Sequence, residues 1–478
     1  MIEMRFQDVL DATGARAAGS SDGGKLCGIS TDTRTLMPGD LYLALSGPNF
    51  DGNAFIAQAL AAGAAGLLLR DDGDTQAYER FDVPVALHQK PRRALAGLAR
   101  WQRARLDVPV IGVTGSCGKT TTKELLVQLL TPFLRVHGSP ASFNNDIGVP
   151  RTLLGADPRS EVLVVEMGTN APGEIAGLCE TAQPTAGILT NVGPAHLAGL
   201  GSIEGVAREK SALLASLPED GFCVINADCP FAPELAACTS ARPIRFGLEA
   251  SSGADIYAEK VYFHSAGTTF MLVAKAEFGL DGPREVTVPL LGLHMVQNLL
   301  AALAACAGLG LDLNDLLPHL SSLRGAGRRM ECHELDGLVV YDDCYNSNPS
   351  SAEASVRVLA GMHGHERRVL VLGDMLELGD KAPEYHAQVG AAAAEAGLDL
   401  LVTVGVYAAD IARGALGSGP GSLEIVQLPD PEEAIAVVPD LVRRGDVVLV
   451  KASRGARLER LVQRLLQEPA ELLTTPSA

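Results

Sequence analysis

The stretch Val110-Ile111-Gly112-Val113-Thr114-Gly115-Ser116-Cys117-Gly118-Lys119-Thr120-Thr121-Thr122-Lys123 decides the fold. Four β-favouring residues, Val110, Ile111, Val113 and Thr114, run into a glycine-punctuated turn, and Gly118-Lys119-Thr120 then opens a helix predicted over 121–130. Backbone N–H groups, a lysine and a hydroxyl converge at one helix start, which is the chemistry of a phosphate cradle. The strict G-x-x-x-x-G-K-[ST] spacing would need glycine where Val113 stands, so the match is partial. A Gly-Lys-Thr also occurs in ordinary tight turns; the strand before it and the helix after it favour phosphate binding.

The 478 residues exceed what one hydrophobic core supports, and the length suggests about three domains. Hydrophobic residues make up 47% and charged residues 20%, a globular mixture, and with only 4% aromatic residues the core must be filled by Ala, Leu and Val. The net charge of -18 disfavours nucleic acid and acidic membrane surfaces as partners, so any polyanionic substrate needs local positive charge. Nine scattered cysteines with no C-x-x-C pair point to reduced thiols rather than to disulfides or zinc. The start has no basic end followed by an apolar run, and the longest apolar segment, 299–311, is short and broken by glycine. A cytoplasmic, soluble protein without membrane insertion is expected.

Residues 1–86 carry short strands (25–30, 40–45, 65–69) and a helix at 53–62, a small α/β unit. Two polar clusters there, Ser30-Thr31-Asp32-Thr33-Arg34 and Ser46 to Gly52, are first of all turn formers. In 87–321 a helix at 91–105 leads into alternating strands and helices, with strands at 108–113, 161–165, 185–190 and 222–225 and a helix at 203–217, the pattern of a mostly parallel sheet. Between 254 and 291 the period changes to two, with turns near Gly267 and Gly282, which adds antiparallel strands before an Ala-rich helix at 294–307. After a linker at 324–328, residues 322–478 alternate again, with strands at 338–341, 369–372, 400–404 and 447–450 and helices at 351–359, 384–396 and 458–466, a Rossmann-like third α/β domain. Residues 468–478 are expected to fray.

Ligands of such sheets sit outside the carboxyl ends of the strands. One strand delivers Glu166 there, where a carboxylate can hold a Mg²⁺ that also takes phosphate oxygens and Thr120. The next ends in Asn191-Val192-Gly193-Pro194-Ala195-His196, and Lys210 lies on the helix that follows. Each has an ordinary reading as turn cap, turn residue or solvated lysine. Together with the phosphate loop they describe a nucleotide-metal site in which catalysis is mostly positioning and charge neutralisation, with the acceptor coming from a substrate.

Val113 to Thr120, Asn144-Asn145-Asp146-Ile147-Gly148-Val149-Pro150, Glu166-Met167-Gly168, Asn191 to His196, Glu209-Lys210, and His294 with Asn298 resemble, in that order, the motifs of the Mur ligases. That family carries Thr-Gly-Ser-x-Gly-Lys-Thr, which accounts for Val113. Tyr341-Asp342-Asp343-Cys344-Tyr345-Asn346-Ser347-Asn348-Pro349 resembles the segment of the members that add D-alanyl-D-alanine, and the Asp-Asn-Pro-Arg motif of the diaminopimelate-adding members is missing. The resemblance implies a three-domain enzyme of peptidoglycan precursor synthesis, and a monomer is expected. ATP would phosphorylate the carboxylate of UDP-MurNAc-tripeptide, and the D-alanyl-D-alanine amine would attack the acyl phosphate.

The resemblance also implies roles. Thr114, Gly115, Ser116, Cys117, Gly118, Lys119, Thr120 and Thr121 would cradle ATP, with Lys119 at the β and γ phosphates. Thr120 and Glu166 would hold one Mg²⁺, and His196 and a carbamylated Lys210 a second. Asn298 would bind adenine, Asp343 and Asn346 would sit near ribose and adenine, and Arg329, or equally Arg328, would approach the phosphates. Ser30, Thr31, Asp32, Arg34, Asp51 and Gly52 would serve the uridine-diphosphate end, with Asn145, Lys451, Ser453 and Arg454 near the peptide or acyl phosphate. Asn53 replaces a family histidine and Met295 a frequent asparagine. Cys117 and Cys344 stand where Asn or Ser is common, which suggests backbone use at both.

Overall fold

The computed structural model describes residues 3–467 except 19–23, 48–49, 74–77, 79, 249, 265–266, 326, 336 and 419–422. The expected fraying of 468–478, and Ala326 within the linker, lie outside the described residues. Three α/β units follow one another along the chain, each built on its own sheet.

The first sheet orders Arg16–Ala18, Val85–His88, Gly66–Arg70, Asp40–Leu43 and Gly28–Ser30, parallel except for the edge strand Arg16–Ala18. Val85–His88 carries this sheet two residues past 86. The strand expected over 25–30 is broken at Cys27: Lys25–Leu26 pairs antiparallel with Met4–Arg5, and Gly28–Ser30 joins the sheet.

The central sheet has nine strands. Val136–Gly138, Val162–Glu166, Val110–Thr114, Ala186–Leu189, Phe222–Asn226 and Arg242–Gly247 run parallel, followed by Ile256–His264 and the antiparallel Gly267–Ala274 and Arg284–Val288. This is the parallel sheet with an antiparallel extension that the change of period predicts. Register places the chemistry: Val113 pairs with Glu166 and Thr114 with Leu189, so the loop, the carboxylate and the Thr190 turn emerge at one level of one edge.

The third sheet orders Glu331–Leu335, Leu338–Asp343, Asp446–Lys451, Arg367–Gly373, Leu400–Val404 and Glu424–Leu428, parallel apart from Glu331–Leu335. Glu331–Leu335 and Glu424–Leu428 are strands that period-two reading misses, because each is an edge strand that buries few of its side chains.

Helix Pro91–Arg103 joins the first two units into one core. Its Leu95 and Leu98 pack with Leu41, Leu43 and Leu68 of the first unit and with Val149, Leu153 and Leu163 of the central one. Burying each such leucine contributes about 1.5–3 kcal/mol. The third unit has separate cores on the two faces of its sheet.

Asp446 starts the strand that carries Lys451 to the site. It is fully buried and accepts two hydrogen bonds from Arg367, at 3.0 and 2.7 Å, and one from the Arg443 backbone at 2.9 Å. Asp446→Ala strands the guanidinium and should cost about 3 kcal/mol; the midpoint of thermal unfolding by circular dichroism should fall, and fall less for Asp446→Asn.

Candidate active site

A cleft of about 1230 Å³ runs between the central and third units and is reached from the first by Arg92, Arg93 and Ala96. The loop after Val110–Thr114 forms its floor. Gly115 has φ 152°, and a Cβ there would lie 1.9 Å from Thr190 Oγ1; Gly118 has φ 81°, and a Cβ there would lie 2.2 Å from Asn298 Oδ1. Both positions therefore need glycine. The neighbouring turn braces the loop: the Ser116 and Cys117 amides donate to Asn191 O and Oδ1 at 3.1 and 2.8 Å, and Ser116 Oγ and the Gly193 amide meet at 2.9 Å. Lys119 Nζ folds back onto Gly115 O at 2.7 Å, and burial lowers its pKa against the pull of Glu166.

Glu166 is buried. Its Oε1 accepts from Asn144 Nδ2 at 2.9 Å, while Oε2 has no hydrogen-bond partner among the described residues and lies 4.0 Å from Lys123 Nζ. Lys210, on helix Ile203–Ala215, is fully buried and its Nζ also has no hydrogen-bond partner among the described residues. Burial, with repulsion from Lys119, drives its pKa well below the ordinary lysine value, which favours the uncharged amine. Lys123 provides the contrast: equally buried, it donates to Ser139 O and Ala141 O at 2.7 and 2.5 Å, a satisfied structural lysine. His196 sits in the left-handed region with φ 52°, its Nδ1 2.8 Å from Glu377 Oε2. Among the described residues no three His, Cys, Asp or Glu side chains cluster as a complete metal cage. The set fits a hard cation that takes the rest of its oxygen ligands from phosphate and water: among the described residues one buried carboxylate oxygen of Glu166 accepts no hydrogen bond, Thr120 and His196 line the same cleft, and Lys210, buried beneath it and not part of its lining, is an amine whose burial favours the uncharged form that could gain a carboxylate.

The third unit supplies the opposite wall. Arg329, not Arg328, reaches the loop: its Nη1 lies 3.5 Å from Thr121 Oγ1 and its guanidinium 4.3 Å from the Tyr345 ring centroid, whereas Arg328 turns to Glu459 at 3.6 Å. Lys451 donates to Asp343 Oδ2 at 2.6 Å and to Asn346 O at 3.3 Å, so it holds the Asp343–Asn346 loop, and Ser453 Oγ donates to Ser347 O at 3.2 Å. Arg454 and Asn346 line the cleft. Asn298 is buried on helix Leu293–Gly308 and accepts from Thr122 Oγ1 at 3.3 Å. On the same helix, burial keeps His294 neutral, its pKa lowered to about 4, and its Nδ1 has no hydrogen-bond partner. Asn145 Oδ1 accepts from the Ile147 and Gly148 amides at the start of Gly148–Leu154. Backbone use alone does not describe Cys117: its Sγ lies 2.9 Å from Asn348 Nδ2, a contact between loop and third unit that forms because Asn348 caps Pro349–Ala360. Cys344 Sγ is buried against Val450 O at 3.3 Å.

The first-unit clusters lie outside the cleft. Ser30 Oγ donates to Asp32 O at 2.9 Å, Arg34 pairs with Asp32 at 2.6 Å and holds its carboxyl near a pKa of about 2, and Thr31 stands between them. Asp32 also feels the charge of Arg151 on the central unit, which puts this turn at the seam between the two. Asp51 Oδ1 accepts from Ser46 Oγ at 2.9 Å, and Gly52 gives its amide to Leu45 O at 2.7 Å. Asn53 acts structurally, exchanging two hydrogen bonds with the Arg70 backbone at 3.2 and 3.3 Å.

Sequence reasoning assigns no role to Asn144, Tyr345, Asn348 or Glu377, all of which line the cleft. Glu377 lies in the loop beyond Arg367–Gly373, not at the strand end as Glu166 does, so the strand-end rule does not single it out.

Family comparison matches residues 25–103 to the Mur ligase family catalytic domain, 113–306 to the Mur ligase middle domain and 328–454 to the Mur ligase glutamate ligase domain. The chain is 35% identical over 443 residues, 92% of it and 93% of its relative, to the UDP-N-acetylmuramoyl-tripeptide--D-alanyl-D-alanine ligase of Bacillus subtilis (strain 168). Among solved structures it is similar to MurF from Acinetobacter baumannii (TM-score 0.88, 29% identity, 98% and 100% of the two chains) and to MurF ligase from Thermotoga maritima in complex with ADP (0.81, 29%, 93% and 98%). With three matched domains in order on three sheets, and an unpartnered carboxylate and amine behind the phosphate loop, this chain belongs to the Mur ligase family.

Proposed function

We propose that this chain is an ATP-dependent amide ligase that joins D-alanyl-D-alanine to UDP-MurNAc-tripeptide in peptidoglycan precursor synthesis. The observation that carries the reading is the pair of buried, unpartnered groups, Glu166 Oε2 and Lys210 Nζ, behind a glycine-built phosphate loop that faces a wall of the third unit. The work divides near residues 86 and 321: the first unit takes the uridine-diphosphate end through the Ser30–Arg34 and Asp51–Gly52 turns, the central unit ATP, and the third the dipeptide. No helix among the described residues is long and apolar enough to cross a membrane. The reading takes the enzyme to be a cytoplasmic monomer.

Lys119, Arg329 and the backbone amides at the start of helix Lys119–Leu130 orient the triphosphate and neutralise charge as it develops. A tripeptide carboxylate oxygen attacks the γ-phosphorus and the bond to ADP breaks. The dipeptide amine then attacks the acyl carbon, loses its proton, and inorganic phosphate leaves as the C–O bond breaks. Phosphorylation is what turns a carboxylate into a group that an amine can displace. Mg²⁺, when bound, neutralises phosphate charge. Thr120, Glu166, His196 and Lys210 would hold it, Lys210 once its uncharged amine has added CO₂ and lost a proton to become a carbamate.

Phosphate release should require ATP, UDP-MurNAc-tripeptide and D-alanyl-D-alanine together, and release that ignores the dipeptide would refute the ligase. Lys210→Ala should reduce turnover at least about 10³-fold, on the scale of a lost electrostatic catalytic group, and Lys210→Arg should not restore it, because a guanidinium cannot become a carbamate. Full activity of Lys210→Arg would exclude the carbamate.

A further inference from the structure

The segment 374–379 leaves the third sheet beyond Arg367–Gly373 and reaches the central unit. It is held from behind, where the Leu376 amide donates to Ser453 Oγ at 3.0 Å, and it lies against the central unit, where a Cβ on Gly379 would be 3.7 Å from Ala198 Cβ. Between these anchors Glu377 adopts φ 64° and places Oε2 2.8 Å from His196 Nδ1, itself on a residue at φ 52°. Two non-glycine residues in left-handed conformations thus meet across a domain boundary, and such strain persists only where the surroundings hold it.

We propose that Glu377 is a positioning residue that the third unit lends to the metal site of the central unit. A carboxylate only accepts, so His196 Nδ1 carries the hydrogen in this contact, and in the neutral ring that leaves the Nε2 lone pair for a cation. A carboxylate behind a ligating imidazole fixes its tautomer and ring direction and raises its basicity. Here that carboxylate comes from another domain, so the His196 ligand is set only when the third unit is docked, and cation affinity is coupled to closure. The other polar contacts across the cleft, Arg329–Thr121, Asn348–Cys117 and Tyr345–Ser142, touch no cation ligand. The inference rests on the reading of His196 as a cation ligand.

Mn²⁺ titration followed by electron paramagnetic resonance, on the full chain with ADP, tests it. Glu377→Ala should weaken one Mn²⁺ site about 10–100-fold, Glu377→Gln, whose amide oxygen still accepts the hydrogen bond, should recover most of that loss, and the double variant with His196→Ala should bind no more weakly than His196→Ala alone. Glu377→Gly suits the left-handed backbone and replaces Glu377→Ala if that variant does not fold. If His196→Ala weakens a site and removal of the Glu377 side chain does not, the coupling is wrong and the metal reading stands. If Gln is as weak as Ala, the hydrogen bond is not what acts. If His196→Ala leaves Mn²⁺ binding unchanged, the reading of His196 fails and the inference with it.

Discussion

Burying a polar atom without a hydrogen bond is among the most costly things a fold can do, and the centre of this molecule is arranged around two such atoms, one on Glu166 and one on Lys210. Glu166 Oε2 and Lys210 Nζ stand in the interior without a hydrogen bond, while Lys123, buried to the same degree nearby, has two carbonyls. The chain is therefore able to satisfy a lysine in this interior and does so where the role is structural. Leaving the other two incomplete keeps desolvated binding capacity in reserve for ligands, in surroundings where each electrostatic contact is stronger than in water. The parallel register of the central sheet keeps that arrangement in place, because Val113, Glu166 and Leu189 are tied to one level by ladder hydrogen bonds.

The two domain boundaries are built differently. First and central units share an apolar core through Pro91–Arg103. The third unit touches the central one at the apolar Leu291 and, across the cleft, through polar side chains: Arg329, Tyr345, Asn348 and Glu377. Polar contacts of this kind exchange readily with water, so this boundary can open for a substrate to enter and still assemble a defined geometry when it shuts.

Much of this was legible in the chain. The phosphate loop, Glu166 and His196 are local in sequence and obey one rule, that parallel strands present their carboxyl ends to ligands. The antiparallel extension showed in its change of period. What could not be read arises from contacts between distant residues: the choice of Arg329 over Arg328 depends on where Tyr345 stacks, and Cys117 gains a side-chain contact only because Asn348 caps a helix in another unit. Short strands such as Arg16–Ala18 and Val136–Gly138 carry too few residues for any period to show.

The helix Pro91–Arg103 has one more consequence. Because its leucines belong to the core of both the first and the central unit, neither can lose its packing without exposing apolar surface of the other. Heated or placed in denaturant, these two units should unfold as a single cooperative block and the third, with cores of its own, in a separate transition. Counted by sheets the molecule has three parts; counted by cooperativity it has two.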